Sequence, residues 1–269
     1  MNKRIWINIF LFVVVILLSI IILSEKDKIE EELPSLSTID PNNISKIEVL
    51  RKNLETLSFS KNEDEWKIDS PLQFQANSAR IKSILNILTT KSYKTLNLND
   101  ISQFDLRSPR VILKLDKDNF SFGTTNPIDQ KRYILFNETV HLIDDYLFPQ
   151  LMVNAFFFVD TKLLPKNIDI SSIEFPDNKF QKDSDKWVSS TNKYNEEEII
   201  KIVSKWDKAI AVSVSEYKKG EDEGMVSVQA LSGEKINFII VKTGPYLILG
   251  REDIGIQYTL GGDDAIQMF

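Results

Sequence analysis

The chain has 269 residues, 42% of them hydrophobic and 10% aromatic, which suffices for one large or two modest packed domains and excludes wholesale disorder. Lys and Arg number 33 against 39 Asp and Glu, a formal charge of -6 with a pI of about 5.1, so no basic excess is available to neutralise nucleic-acid phosphates. Cysteine is absent and His141 is the sole histidine, which removes disulfides, thiol nucleophiles and Cys/His zinc sites.

In chain order, Met1 to Arg4 form a short basic tip, and Ile5 to Ser24 run without a charge. At 1.5 Å per residue such a helix covers about the 30 Å of a bilayer's hydrocarbon layer, so 5–24 is expected to be a transmembrane anchor. Lys3 and Arg4 flank one side, while five carboxylates dilute two lysines just after the other. The positive-inside rule then places residues 1–4 in the cytoplasm and everything after residue 24 outside it, in a single-pass protein of the inner or plasma membrane. A cleaved signal peptide is the competing reading, against which stand the long apolar run and the lack of small residues at Ile22 and Ser24 together. Residues 25–42 open with a charge run and continue through Pro, Ser, Thr and Asn, the composition of an acidic, solvated stalk.

Beyond the stalk the chain repeats itself. ISKIEV at Ile44 to Val49 returns as ISSIEF at Ile170 to Phe175, and in each copy a tryptophan, Trp66 or Trp187, closes a second strand. A helix follows both times. In the first copy Asn77 or Ser78 caps it, and Ile81, Ile84, Leu85 and Leu88 form an i, i+3, i+4, i+7 stripe. In the second, Asn195 caps it with Glu198 at the capping-box position, and Ile199, Ile202, Val203 and Trp206 repeat the stripe. Alternating segments come next, VILKL, SFGTT, RYILF and TVHLI in one copy and VSVQA, KINFIIV, PYLILG and GIQYTL in the other. The expected fold class is α+β: two tandem β-β-α-β-β-β-β repeats at 43–150 and 170–269, each a mostly antiparallel sheet with one packed helix, separated by a joint at 151–169.

These residues resemble the DUF4340 family of bacterial envelope proteins. The resemblance rests on the membrane anchor, the ISKIEV strand, the Trp66 to Pro71 step, the capped helix at 77–91, the FDLRSPRVILKL block, SFGTTNP with RYILF and VHLI, and FVDTKLLPKNIDISSIEF. It implies an α+β repeat domain of uncharacterised activity in the cell envelope, periplasmic where there is a periplasm, and a partner role beside ABC-type export or gliding-associated membrane systems.

Catalytic motifs are missing. The sequence holds no phosphate-binding glycine loop, no G-x-S-x-G elbow and no D-x-[DN]-x-[DN]-G calcium loop, and Gly261-Gly262-Asp263-Asp264 reads as a turn. His141 alternates with Val140 and Leu142 in a strand, which fits a surface histidine better than a general base. Asp144-Asp145 and the loop acids Glu221, Asp222 and Glu223 read as hydrated carboxylates. No catalytic residue, metal ligand or cofactor is therefore expected.

The most suggestive stretch is the aromatic run before the second repeat, which gives Phe148, Phe156, Phe157 and Phe158 as candidate binding residues. In an extended chain neighbouring rings point to opposite faces, so the triple phenylalanine is either buried between the halves or an apolar patch for a partner. The leading expectation is a non-enzymatic, membrane-anchored adaptor that contacts another envelope protein. A module for polysaccharide, peptidoglycan or lipid is the alternative, and a carboxylate-dependent hydrolase the third.

Overall fold

The computed structural model of the chain describes residues 3–25, 33–97, 101–220, 224–262 and 268, with only the backbone at 4 and 21–25. Four expectations touch residues outside this set: part of the 1–4 tip, most of the acidic run at 25–32, the loop acids Glu221 to Glu223, and Asp263-Asp264. Helix α1 (Lys3–Glu25) carries the apolar N-terminal run. None of its described side chains is buried; Phe10 and Phe12 are 70% and 67% exposed, and none of the described ones joins the core. Among the described residues no helix is long and apolar enough to cross a membrane.

The remainder is α+β and consists of two antiparallel sheets, one in each half. The first contains β1 (Lys46–Arg51), β2 (Leu57–Asn62), β3 (Glu65–Ser70), β4 (Phe74–Gln75), β5 (Lys94–Leu96), β6 (Val111–Leu115), β7 (Asp118–Thr125), β8 (Arg132–Phe136) and β9 (Thr139–Ile143), with helix α2 (Ser78–Leu85) between β4 and β5. A four-residue helix, α3 (Phe148–Leu151), follows β9. The second contains β10 (Ile170–Glu174), β11 (Lys179–Asp183), β12 (Lys186–Ser189), then helix α4 (Glu196–Asp207), then β13 (Ser213–Glu216), β14 (Met225–Ala230), β15 (Lys235–Lys242), β16 (Leu247–Arg251) and β17 (Ile256–Leu260).

Across the first sheet the order is β4-β3-β2-β1-β6-β7-β8-β9-β5, and across the second β12-β11-β10-β14-β15-β16-β17-β13. Apart from the added edge strand β4, the two orders are the same. The expected pattern of two strands before the helix and four after it is corrected to four and five in the first unit, counting β4, and three and five in the second. β2 and β11 alternate over only a few residues, and β5 and β13 are short edges with little apolar surface, so neither pair stands out by periodicity.

The helices pack as their stripes require. Ile81, Ile84, Leu85 and Leu88 are buried, as are Ile199, Ile202, Val203 and Trp206. The Asn77 side chain accepts from the Arg80 amide, and Asn195 with Glu198 closes a reciprocal capping box. The first helix is shorter than the 77–91 expected; residues Asn86–Thr89 tighten into a 3₁₀ turn that still buries Ile87 and Leu88.

Each unit also begins earlier than its strand signature. Leu36 donates its amide to Thr90 O and Ser92 donates to Pro34 O; in the second unit Leu163 donates to Ala209 O and Ala211 to Thr161 O. Leu36 and Leu163 are both buried. Residues 34–37, assigned to the solvated stalk by composition, are thus a strap on the first unit, matched by 161–164 on the second. The units end alike too: Leu151 and Met268, each eight residues past the last strand, are both buried. The Trp206 indole donates to Met268 O at 2.9 Å. One hydrophobic cluster holds buried residues from both halves.

Candidate functional site at the joint between the repeats

The joint starts on a buried cation. Arg51 at the end of β1 is 9% exposed, and its guanidinium donates to Glu55 O, Leu151 O and Val153 O. Burial lowers its pKa, and no carboxylate accepts from it, so carbonyl dipoles compensate the charge. Arg51 carried no signal in the sequence, where it reads as the polar end of a strand.

The triple phenylalanine is not extended. Asn154 accepts from the Phe157 amide and starts a 3₁₀ turn over Ala155–Phe158. Three residues per turn put Ala155 and Phe158 on the same, buried side, while Phe156 and Phe157 are half-buried. Phe158 is fully buried with its ring 5.2 Å from Phe59, which makes it core and removes it as a binding surface in this conformation. Phe157 lies edge-on to Phe158 and under the Arg80 guanidinium, 4.1 Å from the ring centroid. Phe148, half-buried in α3, stands apart from them, beneath Arg132 at 3.8 Å. The four candidate residues therefore form no single patch.

Past the turn the chain stitches the halves together. Asn77 donates to Phe158 O and Asp160 to Gln75 O on the first-unit side, and one residue later the strap to 209–211 begins. The Asn77 amide also reaches Thr161 Oγ1 at 3.4 Å, so the cap of α2 touches the strap of the second unit.

Beside this stitch lies an open groove of about 760 Å³. The β2–β3 hairpin supplies Glu63, Asp64 and Glu65 to it, β4 supplies Phe74 and Gln75, the joint supplies Val159, Asp160 and Lys162 to Lys166, and the second sheet supplies Arg251 and Tyr258. Tyr258 is 5% exposed, and its hydroxyl has no hydrogen-bond partner among the described residues. Burial raises its pKa to about 12; Arg251 lowers it, while Asp160 and Asp253 raise it, so the hydroxyl sits within the field of the groove's charges. Arg251 is held by Asp253 through two hydrogen bonds at 2.8 and 2.9 Å.

A family model described as a domain of unknown function (DUF4340) matches residues 66–221, more than half of the 269. The chain belongs to this family. The match runs from Trp66 in β3 through the joint and α4, so Phe148, Phe156 to Phe158 and the whole strap lie inside it, whereas Glu63 to Glu65, Arg251 and Tyr258 lie outside. No curated protein and no solved structure matches the chain.

Of the polar groups weighed for catalysis in this DUF4340 chain, His141, Asp144 and Asp145 are engaged within the first unit. Asp144 accepts from Lys131 at 2.9 Å and from the Tyr93 hydroxyl at 2.8 Å. Lys131 holds its carboxyl below the usual range, with burial opposing and Tyr93 adding to the effect. Asp145 instead takes the Arg132 guanidinium in a paired grip at 2.7 and 2.6 Å. The two neighbouring acids thus serve different cations. His141 is half-buried, and its Nδ1 lies 2.9 Å from the Oγ of buried Ser92; burial lowers its pKa. No group of three or more His, Asp or Glu that could hold a metal occurs among the described residues.

Proposed function

We propose that this DUF4340 protein is a membrane-anchored extracytoplasmic adaptor of the bacterial envelope that binds another envelope protein without chemistry of its own. The observation that carries the reading is α1: a 23-residue helix whose described apolar side chains have no partner in the fold. A soluble body leaves so large a continuous apolar surface bare only where something else covers it. Among the described residues the helix is not long and apolar enough to cross a membrane, but in the sequence the twenty uncharged residues 5–24 match the thickness of a bilayer's hydrocarbon layer, and Lys3 and Arg4 would orient such a span. The paired sheets then form one body held close to the membrane, which raises the effective concentration of any partner embedded beside it. Accessory work for an ABC-type export system fits this placement.

The groove between the repeats favours a second reading, a module that holds a ligand in the cleft, since concave sites concentrate at such interfaces. Topology tests the first reading directly. A reporter fluorescent only in the cytoplasm, fused after Phe269, should stay dark, and a periplasmically active enzyme fused there should work. The reverse pair of results overturns the orientation, and release of the full-length chain from membranes by a high-salt wash overturns the anchor.

A further inference from the structure

We propose that the groove between the repeats is a docking site for an extended peptide segment of a partner protein that carries basic side chains along one edge and acidic side chains along the other. This rests on the adaptor reading and gives its contact a chemistry. The first-unit lip is acidic, with Glu63, Asp64 and Glu65 on the β2–β3 hairpin, and the opposite lip is net basic, with Lys162 and Lys166 outnumbering Asp160 along the joint. Among the described residues Glu63, Glu65, Lys162 and Lys166 form no ion pair, and Asp64 has only a loose one to Lys61 at 3.9 Å. Tyr258, a residue only 5% exposed, lines the same groove, and its hydroxyl has no hydrogen-bond partner among the described residues. A peptide backbone, with a donor and an acceptor at each residue, supplies one.

Other occupants fit less well. A neutral glycan leaves both charged lips unpaired, an anionic one meets the acidic lip, and a lipid tail lies against carboxylates. An extended peptide instead sends alternate side chains to opposite edges, so strict Lys-Glu alternation presents one basic and one acidic edge.

That geometry supplies the test. Full-length protein in detergent micelles is titrated with two labelled peptides of equal length and composition, one alternating Lys-Glu and one ordered Lys-Lys-Glu-Glu, and with a neutral N-acetylglucosamine oligomer, by fluorescence anisotropy. The alternating peptide should bind at least about tenfold tighter than its paired-order twin and weaken as salt rises. The triple variant Glu63→Gln, Asp64→Asn, Glu65→Gln lies on an exposed turn and should keep the melting temperature while losing that preference. Tyr258→Phe should weaken binding several-fold. Equal affinity for the two peptides, or unchanged affinity in the triple variant, overturns the proposal. Tighter binding of the sugar overturns it in favour of a ligand module. If no peptide binds while the triple variant still co-purifies with the partner of the native protein, this inference falls and the adaptor reading stands.

Discussion

Two titratable side chains in this chain, His141 and Tyr258, report on their surroundings. His141 is the only imidazole, so its ring proton resonances need no assignment. The Ser92 Oγ lies 2.9 Å from Nδ1, a contact in which either atom can donate, and the same hydroxyl donates to Lys94 O at 3.5 Å. Burial of the ring depresses its pKa. The folded state thus favours neutral imidazole, and the associated stability is present above the unfolded value of about 6.5 and lost as pH falls through the lower folded value. A midpoint below 6.5 in an NMR titration is expected; one above it would contradict the buried pairing. Tyr258 works at the alkaline end. Its folded pKa of about 12 lies above the unfolded 10.0, so the folded state holds the proton more tightly and stability falls between those values. Urea titrations should show the wild type losing about 2 kcal/mol more than Tyr258→Phe across that window.

At the scale of elements, the joint separates what periodicity reveals from what it hides. The two helix stripes were legible because 3.6-residue spacing forces one face inward whatever the neighbours, and Ile81 to Leu88 and Ile199 to Trp206 are buried accordingly. The phenylalanine run carried no period of its own, and an extended conformation was the natural assumption. The signal that was there lay one step upstream: Asn154 is a capping residue, and its acceptance of the Phe157 amide turns the chain into a 3₁₀ helix. The groove was illegible for another reason. Its lining comes from 63–65, 74–78, 159–166 and 251–258, segments that only strand order brings together. The turn at the joint makes a contrast that alanine substitution measures. Phe158→Ala empties a fully buried site against Phe59 and should cost about 3–5 kcal/mol. Phe157→Ala removes a half-buried ring and its Arg80 contact, for about 1 kcal/mol. Equal costs would mean that the turn does not sort the rings as described.

For the molecule as a whole, the decisive relation is between one shared core and one helix outside it. Ala155, Phe158, Val159, Leu163 and Leu164 of the joint are buried in the same cluster as Ile47, Phe120, Phe238 and Leu249 of the two sheets. A core continuous across the joint means that neither half can open without exposing apolar surface of the other, so the two sheets should unfold together although the chain is longer than most two-state domains. Among the described residues α1 adds no buried side chain to that cluster. Removing residues 1–32 should therefore leave the melting temperature of the body unchanged while freeing the protein from detergent. Calorimetry of residues 33–269 is expected to give one transition whose van't Hoff and calorimetric enthalpies agree. Two resolved transitions would make the repeats independent domains joined by a linker, and the groove between them would then be a hinge instead of a fixed cleft. A marked loss of stability on truncation would place α1 against the body, where its bare apolar surface would no longer call for a membrane.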